Sequence, residues 1–304
     1  MVNTFRYKCI QSPESGQPVY IRFLTPRGRP ATFTGMRKRI LLPLLVMLLL
    51  CATLATYFLL FGHIVCLVDA TYYRTVYRAN ERTLKRQLLL SGYRLSSVEV
   101  VPSKLDDSLL AGLAEKHKTS TLYVVLSPLL TELVEKHKLT GLENMHLIGI
   151  GDAHPDESRF FSYLIPNQSF DWQEAQKELG ARGSALVLTS EGRQQHAFDS
   201  SRTVVQQEGE TDQAFSKRLE TLGKQQGLLT IFAPELGPWA MDLLSTSALS
   251  WVIDATYLPL VEREYLQGIV ADDLAHGILS ALRGDKETVQ LTKRYFTERE
   301  IGGS

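Results

Sequence analysis

Uncharged residues run without a break from Ile40 to Gly62 (ILLPLLVMLLLCATLATYFLLFG), and beyond them the chain changes rhythm. At about 1.5 Å of rise per residue, these 23 positions cover the ~30 Å hydrocarbon core of a bilayer as one helix. Pro43 falls in its first turn, where a missing N–H breaks no helical bond. The span is used up at Phe61 or Gly62. Ile64-Val65-Cys66-Leu67-Val68 is then a short β-branched run closed by Asp69, and Tyr73, Val76, Tyr77, Leu84 and Leu88 recur with helical spacing up to Gly92. HIVCLVD therefore reads as the first strand of an α/β domain that begins almost at the membrane surface.

The same alternation continues down the chain. Strands are predicted at Val98–Val101, Leu122–Leu126, His146–Ile150, Phe160–Ile165, Ala185–Thr189, Leu229–Phe232, Ser250–Ile253 and Gln267–Val270, with amphipathic helices near 104–117, 128–138, 170–180, 212–224, 237–246 and 272–283. Continuous apolar strands bounded by helices predict parallel sheets covered on both faces. Two sheets fit better than one: strands of 64–150 form the first and those of 185–253 the second, with 160–165 and 267–270 free to cross between them. The expected organisation is a basic tail 1–39, an anchor 40–62, a first lobe 63–165, a second lobe 166–265, and a return strand, helix and tail in 266–304. Residues 190–210 are ambiguous, RTVVQQE being compatible with a strand. Residues 1–35, rich in Pro, Gly, Ser and Arg and without sustained periodicity, are expected to be disordered. The doubled EKHK at 115–118 and 135–138 places Lys and His at helix C-termini, where cations suit the dipole.

Overall charge is zero, from 33 basic and 33 acidic residues, which suggests neither a nucleic-acid nor a membrane-surface binder. Locally the balance fails: residues 1–39 hold eight Lys/Arg against the single acid Glu14. Arg37-Lys38-Arg39 precede the span directly, so the positive-inside asymmetry puts the N-terminus in the cytoplasm and exports residues 63 onward across a cytoplasmic (inner) membrane in a single pass. A cleaved signal peptide starting at Met36 is the rival reading. Its cleavage signals are poor, since Leu50 precedes Cys51 and another apolar run follows Thr53-Leu54-Ala55, so an uncleaved anchor is expected, with Met36 a candidate start. Cys9, Cys51 and Cys66 lie far apart and imply neither a disulfide framework nor a metal site. Cys66 is expected to be a small buried hydrophobe.

The segment WVIDATYLPLVEREYLQGIVADDLAHGILSALRGD (251–285) resembles the C-terminal part of type I periplasmic binding proteins and of the ligand-binding core of lactose-repressor-like regulators. In that family a strand ends in Asp, a loop follows, and another strand leads into a helix with a small residue close to the sheet; here these correspond to Asp254, Tyr257 to Tyr265, Gln267 to Val270, and Asp273-Leu274-Ala275-His276-Gly277. IVCLVDATYY and SALVLTSEGRQQHAF resemble the first strand of each lobe. The resemblance implies a two-lobed parallel-sheet α/β domain that holds a solute in a cleft at the C-terminal ends of both sheets. Ligands of open α/β sheets bind outside those same strand ends. The candidate ligand residues are Asp69, Tyr72, Ser127 and Asp152 from the first lobe, and Ser190, Glu191, Glu235, Trp239, Asp254 and Tyr257 from the second. Acids accept hydrogen bonds from hydroxyls or amines, and aromatic faces stack on sugars or bases. Asp or Ser after a strand also caps the next helix, and Trp239 equally suits a core. Trp172 and Trp251 are expected to pack. The family's cleft Arg and Asn are matched only in approximate place, by Arg193 and Asn167.

No G-x-x-x-x-G-K-[ST], G-x-G-x-x-G or G-x-S-x-G motif occurs, and no H-x-x-x-H pair. His117 and His137 read as solvated helix ends. Asp152, Asp156 and Glu157 form a solvated loop or, less simply, a Ca²⁺ loop. The expectation is a protein without catalytic residues or cofactor. It is membrane-inserted, binds a small polar solute (sugar, nucleoside or amino-acid-like) and hands it to a permease. The alternatives are a receptor or scaffold acting on a sensor partner in the membrane and, in third place, an α/β enzyme.

Overall fold

The computed structural model describes residues 7–11, 18–22, 33–60, 62–117, 120–137, 145–152, 159–180, 183–189, 202–284 and 288–301. The chain divides into two compact units, residues 1–56 and 57–304.

In the first unit, β1 (Tyr7–Gln11) and β2 (Pro18–Arg22) pair antiparallel, with Tyr7 opposite Arg22. These ten residues lie in the tail for which no regular element is expected. YKCIQ and PVYIR are too short to show a period, yet paired they satisfy each other's backbone groups. Helix α1 (Phe33–Leu60) starts upstream of the uncharged run and carries Pro43 inside it. Its described side chains, Leu42 to Ala55, are exposed, Leu42, Met47 and Leu48 by more than 60 %. Among the described residues no helix is long and apolar enough to cross a membrane.

The second unit contains both lobes. The first has β3 (His63–Val68), α2 (Ala70–Tyr72), a π-helical turn Tyr73–Tyr77, α3 (Arg78–Leu90), β4 (Arg94–Glu99), α4 (Asp107–Lys116), β5 (Leu122–Leu126), α5 (Pro128–Lys136), β6 (Met145–Ile150) and β7 (Phe160–Ile165). The chain then enters the second lobe through α6 (Trp172–Glu178), β8 (Ser184–Leu188), β9 (Thr203–Val205), α7 (Asp212–Gln226), β10 (Leu229–Ala233), β11 (Leu249–Asp254), a 3₁₀ segment Ala255–Leu260, and β12 (Leu266–Asp272). Helix α8 (Leu274–Arg283) and β13 (Thr288–Gln290) return to the first lobe, and β14 (Lys293–Thr297) ends in the second.

The first sheet has the order β13-β7-β6-β5-β3-β4 and is parallel throughout. The second has the order β14-β12-β11-β10-β8-β9, parallel except for β14. Both are doubly wound. This is a two-sheet, almost wholly parallel α/β architecture.

Apolar side chains on alternate positions build a core on each face. Val65 and Leu67 pack with Leu110, Leu130 and Val134 of α4 and α5, whereas Ile64 and Cys66 pack with Leu84 and Leu88 of α3 and Ile278 of α8. Cys66 is buried, as expected, and burial pushes its thiol up to about 12. In the second lobe Trp251 lies with Phe215 and Ile231 on one face, and Trp172 with Phe232 and Val270 on the other.

Three crossings join the lobes, at 166–171, 272–273 and 291–292. Strand Gln267–Val270 does not cross; it stays in the second sheet, and the chain leaves after Asp272. The short tail expected after α8 contains β13 and β14 instead. The helix expected at 237–246 is a 3₁₀ turn, Pro238–Ala240, followed by turns that set Leu243 and Leu244 into the core. RTVVQQE does supply a strand, β9.

Asn80, fully buried on α3, holds the second crossing. Its amide nitrogen donates to the Asp272 carbonyl at 2.8 Å, and its oxygen accepts from Leu274 N–H at 3.1 Å. Asp272 Oδ1 accepts from Asn167 N–H at 3.2 Å, and Asp273 N–H donates to the Thr292 carbonyl at 2.8 Å. The three connections are thus cross-linked through polar groups. Beside them, Val76 and Ala79 of the first lobe pack against the apolar cluster of the second.

Candidate functional site

In a doubly wound sheet, the switch point is where consecutive strands leave in opposite directions, opening a crevice at their C-terminal ends. In the first lobe that point lies between β3 and β5, which end at Asp69 and Ser127. In the second it lies between β8 and β10, followed by Thr189 and Glu235. Among the described residues, each switch point carries a hydroxyl–carboxylate pair. Ser127 Oγ donates to Asp69 Oδ2 at 2.7 Å, and Thr189 Oγ1 donates to Glu235 Oε2 at 2.8 Å.

The two pairs differ in availability. Asp69 and Ser127 are buried, and Asp69 Oδ1 also accepts the N–H groups of Thr71 and Tyr72, both at 3.0 Å. Asp69 is therefore the N-cap of the following helix, with its lone pairs largely occupied. Glu235 is exposed and Thr189 half-buried, so this pair is open to a ligand.

Asp254 Oδ1 caps the 3₁₀ segment through Thr256 N–H at 3.1 Å, and its Oδ2 meets Lys293 Nζ at 2.6 Å. Both partners are largely buried, which strengthens the pair relative to a surface one. Tyr257 is half-buried; burial raises its phenol pKa, and Glu235 and Asp254 push the same way against a backbone hydrogen bond with Leu236. In the first lobe Tyr72 is driven well above the ordinary tyrosine value by burial, then by Asp272, Cys66 and Asp69. Asp272 is itself raised by burial, with the Asn167 N–H and Lys293 acting in the opposite direction and Asp254 adding to the rise. Tyr72, Asp272 and Tyr257 thus share charged neighbours: Asp272 and Asp69 act on Tyr72, Lys293 and Asp254 on Asp272, and Glu235 and Asp254 on Tyr257.

Of the ten residues expected from sequence, Asp69, Tyr72, Ser127, Glu235, Asp254 and Tyr257 belong to this constellation. Asp152 lines an open groove of about 440 Å³ just past the C-terminal ends of β5, β6 and β7, with Pro128, Thr131, Ile150, Pro166 and Gln168. Trp239 is 1 % exposed and packs edge-on to Phe215 at 5.2 Å, which makes it core rather than a stacking platform. Ser190, Glu191 and Arg193 lie outside the described residues, as do Asp156 and Glu157. Asn167 contributes its backbone N–H. Thr189, Asp272 and Lys293 were missed. The doubled acid Asp272-Asp273 at a strand end was the available signal for one of them. Among the described residues no group of acids, His and Cys could hold a metal ion.

No protein-family model matches the chain. No curated protein matches it either. Similar solved structures include an ABC transporter solute binding protein from Agrobacterium vitis bound with alpha-D-tagatopyranose, at 11% identity and TM-score 0.36, covering 79% of this chain and 96% of that one. A XylFII–LytSN complex matches at 11% identity and TM-score 0.37, covering 80% and 100%. A regulatory protein of LacI family from Chloroflexus aggregans matches at 12% identity and TM-score 0.33, covering 76% and 96%.

Proposed function

We propose that the chain is a membrane-anchored, extracytoplasmic solute-binding protein that takes a small, hydroxyl- or amine-bearing ligand between its lobes. The observation that carries this reading is the matched pair of switch points, each with a hydroxyl beside a carboxylate, set on either side of a three-connection hinge. Glu235 and Thr189 supply acceptors, Lys293 supplies a cation, and Tyr257 supplies an amphipathic ring. The anchor is Ile40–Gly62, which extends on both sides of the exposed leucines of α1.

Delivery of the solute to a permease is the first reading. The junction between α1 and β3 favours a second, in which ligand state is passed to a membrane partner. Gly62 and His63 are hydrogen-bonded on both sides, Arg94 N–H to the Gly62 carbonyl at 3.4 Å and His63 N–H to the Thr121 carbonyl at 2.8 Å. The chain is thus tied to the sheet from Gly62 on, which leaves no stretch of sequence after the uncharged run for a long flexible linker.

Thermal unfolding of the full chain in detergent, against a panel of monosaccharides, nucleosides and amino acids, tests the binding reading. A ligand at a hundred times its Kd adds about 2.7 kcal/mol to stability. Glu235→Gln should weaken that response at least tenfold in concentration. An unchanged midpoint with all three classes would sink the reading. Protease added outside intact cells should digest the domain from residue 63 onward; full protection would remove the extracytoplasmic placement.

A further inference from the structure

The strands β3 to β7 are parallel, so their N-terminal ends share one edge of the first sheet, and the chain leaving α1 arrives at that edge. Gly62 sits so tightly there that a Cβ would lie 2.8 Å from the Thr121 carbonyl oxygen and 2.9 Å from the Tyr123 ring. Only Phe61 separates α1 from this clamped residue. At about 3.3–3.6 Å per residue, the helix end stands within roughly 7 Å of the edge.

The side chains around that arrival point are aromatic, aliphatic and basic. Tyr123 stacks on His146 at 5.1 Å, Phe161 meets His146 edge-on at 5.2 Å, and Tyr93 meets Tyr123 edge-on at 6.0 Å. Phe161 is 39 % exposed, and from the end of α3 Leu89 and Leu90 are 53 % and 73 % exposed. Arg94 and Lys116, both exposed, lie within electrostatic reach of His63 at the start of β3. Rings with polar tips favour the boundary between hydrocarbon and water, and Arg and Lys at that level attract anionic headgroups.

We propose that this edge of the first lobe docks on the lipid surface, with Leu89, Leu90, Phe161 and His146 at headgroup depth and Arg94 and Lys116 on anionic headgroups. The proposal rests on the anchored reading above. It makes the domain a body seated on the bilayer, with the strand C-termini and the candidate site turned away from it.

The full chain, reconstituted into vesicles of phosphatidylcholine with or without phosphatidylglycerol, tests this through single Trp reporters. Leu90→Trp and Phe161→Trp place probes on the edge; Met241→Trp, at an exposed position in the second lobe, is the control. Trp172, Trp239 and Trp251 are buried in the second lobe and contribute a constant background. Brominated lipid should quench the two edge probes at least threefold more than the control, more strongly with phosphatidylglycerol, and Arg94→Glu should reduce the difference. Equal quenching at all three positions in protein that co-floats with vesicles after alkaline washing overturns the docking proposal alone. Edge probes that brominated lipid leaves unquenched, but whose emission shifts to the blue when solubilised membrane proteins are added, assign the edge to a protein partner and overturn it too. Protein that alkaline washing strips from the vesicles overturns the anchored reading instead.

Discussion

Asn80 ties the second crossing to the first lobe. It spends both ends of its amide on main-chain groups of the crossing, and it is fully buried. Asn80→Ala leaves the Asp272 carbonyl and the Leu274 N–H without these partners, and each buried orphan costs ~1–3 kcal/mol. Urea unfolding should therefore show a loss of about 2–5 kcal/mol; a loss below about 0.5 kcal/mol would mean that solvent replaces the amide. His63 gives the second residue-scale prediction. Burial, then His117, Arg94 and Lys116, lower its pKa from 6.5 to about 4. Between those values the unfolded chain takes up a proton that the folded chain refuses, so stability is full above 6.5 and declines as pH falls toward about 4. His63→Gln should flatten the stability–pH curve in that window, and only modestly, because the ring is partly solvated. A slope identical to wild type would show that other groups set the acid response. His117, expected as a solvated helix end, is half-buried and stacked on His63 at 4.0 Å.

Among the elements, legibility followed burial. β3 was readable because all but its first residue is buried, and continuous apolar letters then mark the strand. β4 was misplaced at Val98–Val101 because RLSSVE is an edge strand, half-exposed along its length and without an apolar run. β14 was missed because KRYFT buries only Tyr295 and Phe296 behind two cations. The 237–246 segment misled in the opposite direction: Leu243 and Leu244 are core residues reached by turns rather than by a helix. Gly277 packs closely, since a Cβ there would lie 2.2 Å from Leu291, just past β13, and 3.7 Å from Leu164 of β7. Strand-end positions were legible, but their pairings were not, because Asp254 and Lys293 are 39 residues apart and meet only once β14 has crossed back. The junction element makes its own prediction. A Cβ on Gly62 collides with a backbone carbonyl and a packed ring, so Gly62→Ala should cost ~1–3 kcal/mol in thermal or urea unfolding. An unchanged midpoint would show that the junction yields freely.

At the scale of the whole molecule, the lobes are joined by more than three strands of chain. Val76 belongs to the π-helical turn and packs against the apolar clusters of both lobes, while Ala79, one turn on, is wholly buried in the second lobe's cluster. The turn Tyr73–Tyr77, one short helix after β3, faces the 3₁₀ segment Ala255–Leu260 that directly follows β11. Closure of the lobes is consequently supported by apolar burial beside the hinge, and ligand binding would add to a contact that already exists. The energetic consequence is a smaller conformational response than a freely open pair of lobes would give, since a ligand shifts an equilibrium only by its differential affinity for the two states. Val76→Asp places a charge in that contact without touching the strand-end pairs. Hydrogen exchange should then quicken at least tenfold in Tyr73–Tyr77 and Ala255–Leu260 while the central strands β3 and β10 stay protected. The same variant should need more ligand for an equal thermal shift, because binding must now also restore the lost contact. Exchange that rises equally in β3 and β10 would mean that the two lobes unfold as one body, and the hinge would then have no independent motion to offer a ligand.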